Sequence, residues 1–149
     1  QVFTRLVILI IQTFFMLAVG ATLLDVTIGR GELLAWVTLG AFALMGGALF
    51  ISIGLAISGM SRTEESAAPL ANIVAVPMMF LSGIFFPVDT MPAAVSSVAS
   101  FLPLTYLADG IRGVAVEGAD ITEVTTPLIG LGCWLVISFL LATRLFRWE

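Results

Sequence analysis

Few residues in this chain could do chemistry, and their types narrow what that chemistry would be. There is no histidine, which removes Ser–His nucleophilic catalysis and imidazole metal sites together. No G-x-x-x-x-G-K-[ST] loop is present, so ATP has no phosphate cradle in this sequence. Cys133 is the single cysteine; set in an apolar run, it reads as a small lipid- or helix-facing residue. What remains is one opposite-charge pair, Asp109 and Arg112, spaced to meet on a helix face. Beside it stand a few amides and hydroxyls inside apolar stretches, and an acidic loop of Glu117, Asp120 and Glu123. That set fits binding and passage, not the making of bonds. The chain is expected to be no enzyme and to hold no cofactor and no metal.

The elements that must position these groups are membrane elements. Of 149 residues, 60% are hydrophobic and 11% charged, and the mean hydropathy is +1.15. A soluble domain carries roughly a quarter charged residues. Six basic residues, all arginine, stand against ten acids, for a net charge of −4. No basic stripe exists to neutralise phosphates, so nucleic acid is not an expected partner; membrane lipids are. The chain opens on Gln1 without a secretory signal pattern, and it is expected to be one transmembrane domain cut from a longer protein.

Four uncharged windows predict an all-α, polytopic protein with spans at about 6–24, 33–61, 66–88 and 124–143. The first corresponds to about 28 Å of helix, one hydrocarbon core. Gln12 and Thr13 sit near its middle, to be used in an interhelical hydrogen bond or in lining a substrate path. The second would reach about 44 Å and must tilt or bury its ends in the interfaces. Trp36 suits an interfacial anchor. Gly40, Gly47 and Gly54 fall on one stripe, predicting close helix packing or a surface that slides. In the third, Pro69 is expected in the first turn, Asn72 one turn inside, and Pro77 at a kink near mid-depth.

Residues 89–116 cannot span. A piece from 91 to 102, with Thr90 able to cap it and Pro92 in its first turn, has an apolar face of Ala94, Val95, Val98, Ala99 and Leu102, and a serine face. Pro103 ends it. A second amphipathic piece follows from 104 to about 116, carrying Tyr106, Asp109 and Arg112. Two short proline-delimited helices predict a re-entrant hairpin, a form tolerated in a bilayer only against protein or a wet cavity. The Asp109–Arg112 pair would hold it in shape, with a role in product release as the sharper reading. With four spans, Arg5, Arg62, Arg144 and Arg147 lie on one side against Arg30 and Arg112. The positive-inside rule makes the first side cytoplasmic and the hairpin outward-facing.

Several motifs occur in order: R-T-E-E-S at 62–66, N-x-x-x-x-P from Asn72 to Pro77, L-S-G-I-F-F-P at 81–87, D-T-M-P at 89–92, and P-L-T-Y-L-A-D-G-I-R-G at 103–113. Together they resemble the membrane subunit of ABC-2 type transporters, the drug- and glycan-exporter permeases. The resemblance is strongest from Arg62 to about Val116. Leu102 departs from the asparagine that often precedes P-L-T-Y in the family.

The resemblance implies a six-span permease whose first two spans precede residue 6. It implies a homo- or heterodimer with a second permease, in the bacterial inner membrane. ATP would be hydrolysed on separate cassette subunits, driving drugs, lipids or lipid-linked glycans outward. Gln1–Thr4 would be the tail of the family's coupling helix, and the turn with Arg62, Glu64 and Glu65 a smaller ATPase contact. Gln12, Asn72, Pro77, Met79 and Phe80 would line the path, Gly40, Gly47 and Gly54 would let spans repack, and the hairpin with Pro92, Pro103, Tyr106, Asp109 and Arg112 would cap the exit. Rival classes fare less well. An ion-coupled carrier needs ionisable groups inside the bilayer, and the four windows hold none. An assembly subunit without transport activity is the alternative.

Overall fold

The computed structural model describes residues 2–23, 33–61, 64–86 and 88–145, and every regular element among them is helical. Six α-helices follow in order: α1 (Val2–Leu23), α2 (Leu33–Met60), α3 (Glu64–Leu81), α4 (Ala93–Ala99), α5 (Pro103–Arg112) and α6 (Thr125–Leu145). A 3₁₀ turn, Val88–Thr90, precedes α4, and a π-helical stretch, Gly113–Glu117, extends α5. By length and composition α2 and α6 suffice to cross a membrane; the bent pair Ala93–Ala99 and Pro103–Glu117 makes a third if taken as one span. Of the expected sites, Arg62 lies outside the described residues, as do Pro87, Arg30 and Arg147.

The 28 residues of α2 form the central helix. It packs most extensively on α6 and also touches α1, α3 and α5. A helix apolar all round belongs in such a position. The core gathers Leu39, Phe42 and Leu49 of α2 with Val114, Ala115, Val124 and Leu131. Its buried hydroxyls turn back on their own helix: Thr38 Oγ1 donates to the Leu34 carbonyl at 2.9 Å and Ser52 Oγ to that of Ala48 at 2.8 Å. Both donors are thereby paired inside apolar surroundings. At the α1 side, Phe14 stacks on Trp36 with ring centroids 6.2 Å apart, so Trp36 packs on a neighbouring helix.

Helix α1 begins at Val2, ahead of the expected 6, and two further elements differ from the sequence expectation. The third apolar window runs over 66–88, but α3 starts at Glu64 and stops at Leu81. Ser82 closes the last turn through its N–H to the Met78 carbonyl at 2.9 Å and its Oγ to that of Met79 at 3.1 Å. Gly83 then takes φ 78°, a left-handed conformation that ends helices and suits glycine. Helix α3 is therefore about 27 Å long, and Pro69 falls beyond its first turn; both Pro69 and Pro77 lie inside the helix. Second, α4 is shorter than the 91–102 piece, and its N-cap is Pro92, with no side-chain capping bond from Thr90. Pro92 at φ −54°, ψ 143° holds an extended entry that leaves a preceding threonine out of the cap position.

Candidate functional site

The two short proline-delimited helices form a bent pair packed on α2 and α6. Helices α4 and α5 meet at 83°. Pro103 sits at the N1/N2 position of α5, where its fixed φ suits the first turn and its missing N–H leaves no bond broken. The corner is tied internally: Thr105, 3% exposed, donates from Oγ1 to the Ala99 carbonyl at 2.6 Å. It is tied externally by Trp134 of α6, whose Nε1–H donates to the Phe101 carbonyl at 2.9 Å.

Helix α5 seats itself through three glycines. A Cβ at Gly110 would run into the Phe42 ring of α2, and one at Gly46 of α2 would lie 2.7 Å from Leu107 Cδ2 of α5. Each helix thus presses a large side chain into the gap left by the other's glycine. On the third side, a Cβ at Gly130 of α6 would stand 2.6 Å from the Tyr106 ring. The α5–α6 connection completes the seat: Gly118 adopts φ 65°, and the Ala119 N–H bonds to the Gly113 carbonyl at 2.9 Å, turning the chain into α6.

Arg112 joins this assembly to α3. Its Nη2 donates to the Gly83 carbonyl at 2.8 Å, while Nη1 lies 3.8 Å from Asp109 Oδ1. Both side chains are near half exposed, so the ion pair is screened and weak; the directed bond to Gly83 is the stronger tie.

Beneath the hairpin lies a cavity of about 530 Å³. Ser96 of α4 and its C-cap Ser100 line it on one side and Thr105, Tyr106, Asp109 and Arg112 of α5 on another; Val88, Thr126 and Pro127 complete the lining. Among the described lining residues one acid, Asp109, and one base, Arg112, balance in formal charge.

The other residues singled out by sequence lie elsewhere. Pro92 caps α4 at its entry, away from the cavity wall. Gln12 on α1 and Asn72, Pro77, Met79 and Phe80 on α3 are exposed on helices that flank α2. Phe80 stacks on Phe85 at 5.4 Å. Gly40 stands 3.5 Å from Phe14 in ordinary contact, Gly47 is buried, and Gly54 has open space around it. Glu64 opens α3 and Glu65 is exposed in its first turn. Among the described residues no acidic, thiol or imidazole cluster could hold a metal. Sequence reasoning did not single out Gly46, Gly130, Trp134 or Thr126. Only the crossing of distant helices gives them a role; Gly46 adjoins the Gly47 of the expected stripe, the one local hint.

The chain matches the family model described as ABC-2 type transporter over residues 1–116. It is 32% identical over 132 residues to nodulation protein J of Rhizobium meliloti, covering 86% of this chain and 48% of that protein. It is 28% identical over 89 residues to linearmycin resistance permease protein LnrN of Bacillus subtilis, covering 60% of this chain and 22% of that one. A probable multidrug ABC transporter permease, YbhS of Escherichia coli, is 32% identical over 69 residues, or 46% of this chain and 18% of YbhS. The chain thus spans less than half the length of these curated relatives. No solved structure matches it. With the motifs from Arg62 to Val116 inside the matched region, the chain belongs to the ABC-2 type transporter family.

Proposed function

We propose that the chain is part of the permease subunit of a bacterial inner-membrane exporter. It moves an amphiphile, whether drug, lipid or lipid-linked glycan, outward on ATP hydrolysed by a separate cassette subunit. The observation that carries this reading is the bent α4–α5 pair, wedged by glycine contacts against α2 and α6 and bonded to the end of α3, within a chain of the ABC-2 family. A structured cap joined to three helices is suited to follow their movement. Helices α1, α2, α3 and α6 are the four spans, and the bent pair dips back from the outer face. The arginine distribution supports this orientation.

In this reading the permease pairs with a second copy or a second permease. The exposed polar groups Gln12 and Asn72, with Pro77, Met79 and Phe80, face the path between them. Polar side chains on otherwise apolar spans are better placed against protein or water than against lipid. The turn with Arg62, Glu64 and Glu65 meets the ATPase on the cytoplasmic side. ATP binding shifts the pair from inward to outward access, and each state must make different contacts for this to occur. Purification of the full-length protein tests the proposal: it is expected to bring down an ATPase whose turnover it stimulates. A protein that purifies intact without such a partner would be an assembly subunit instead.

A further inference from the structure

We infer that the cavity under the hairpin is a binding site for the uncharged, hydroxyl-bearing headgroup of an amphiphile. The inference rests on the outward orientation proposed above. The volume of about 530 Å³ falls within the ~300–1,000 Å³ of small-molecule sites. Its lining selects the chemistry. The Ser100 and Thr105 hydroxyls donate to the carbonyls of Ser97, at 3.0 Å, and Ala99, at 2.6 Å, which leaves their oxygens as acceptors. Among the described residues, the hydroxyls of Ser96, Tyr106 and Thr126 are given to no protein group and remain for a ligand. A hydroxyl both donates and accepts, so such a wall matches a polyol better than an anion. An anion such as phosphate is held best by charge-assisted donors; among the described lining residues the one arginine is balanced by Asp109. The Tyr106 ring, seated over Gly130, together with Val88 and Pro127 adds apolar surface, as the mixed faces of a sugar ring require.

Two sources share this chemistry: the exported molecule on its way out, and a glycolipid resident in the outer leaflet. The test uses the full-length permease with its ATPase partner in lipid nanodiscs and radiolabelled dodecyl maltoside as the probe. Saturable binding is expected, displaced by unlabelled dodecyl maltoside and not by dodecyl phosphate of the same chain length. The combined variant Ser96→Ala, Tyr106→Phe, Thr126→Val should weaken the maltoside about tenfold or more with its unfolding midpoint unchanged. Tyr106→Phe alone, which keeps the ring, should weaken it by a smaller factor and serves if the combined variant does not fold. Unchanged affinity in Tyr106→Phe and the combined variant, or displacement by dodecyl phosphate as effective as by the maltoside, would overturn the assignment. Occupancy that changes with ATP identifies the headgroup as cargo, and occupancy indifferent to ATP identifies a resident lipid; both uphold the site. If no ATPase co-purifies, the export reading fails, while the same titration on the permease alone still decides the cavity.

Discussion

The guanidinium of Arg112 donates from Nη2 to the carbonyl oxygen of Gly83 at 2.8 Å, linking positions 29 residues apart. This bond runs from the last turn of α5 to Gly83, two residues past the end of α3. It depends on two local features: a helical register that turns Arg112 toward α3, and the left-handed φ of Gly83, which sets the direction of its carbonyl.

Removing the guanidinium should loosen the hairpin from α3. Arg112→Ala is expected to lower stability by about 1 kcal/mol, below the ~1.5–3 kcal/mol of a hydrogen bond to a charged group because the side chain is partly solvated. Arg112→Lys keeps the charge but has one nitrogen where Arg uses two, so it should fall between. Protease nicking at 84–92 in the purified full-length protein would report the loosening. Equal resistance in all three proteins would contradict it.

The glycines make a graded series. Gly110→Ala drives a methyl into the fully buried Phe42 ring and should cost ~1–3 kcal/mol by overpacking. Gly46→Ala meets the partly buried end of the flexible Leu107 side chain, its two methyls first and Cγ at 3.3 Å, which can shift more readily than a ring, and should cost less. Gly54→Ala finds no atom within 4 Å and should leave stability unchanged or slightly raised. Thermal unfolding of the three variants in one detergent checks the order, and Phe42→Leu should relieve Gly110→Ala.

The hairpin corner should open when its buried hydroxyl is lost. Thr105→Val removes the 2.6 Å bond to the Ala99 carbonyl, which keeps the Leu102 N–H at 3.1 Å, at a cost of about 1 kcal/mol. Trp134→Phe removes the donor to the Phe101 carbonyl from a more exposed position and should cost nearer ~0.5 kcal/mol. Amide hydrogen exchange over 99–106 is expected to rise in both, more in Thr105→Val.

Much of this was legible from residue types, and the remainder was not for identifiable reasons. Apolar windows without charge place α2 and α6 within two residues of their ends, because lipid-compatible helices must satisfy every backbone group internally. Pro103 and the Asp109–Arg112 spacing locate α5. The end of α3 was set too late because Ile84, Phe85 and Phe86 continue the apolar run; hydropathy does not register that Gly83 has already reversed the backbone. The glycine stripe was read by spacing along one helix, whereas close approach depends on what crosses it, and Leu107 arrives at Gly46. The cavity's hydroxyls come from three separate segments, and no local pattern unites them.

Orientation is open to direct measurement. With Cys133 replaced by serine, single cysteines at Ser96 and Asp120 should react with a membrane-impermeant maleimide added outside intact cells. Labelling only after the cytosolic face is opened would place the hairpin on the opposite side and remove the basis for an outer cap.

Cys133 itself, exposed on α6, offers something the engineered sites do not. It is the one cysteine of these 149 residues and lies close to the midpoint of that 21-residue helix. A polarity-sensitive dye attached there leaves these 149 residues unaltered. Its emission would register whether that flank stays in hydrocarbon, becomes wetted, or is covered by another subunit as the nucleotide state changes.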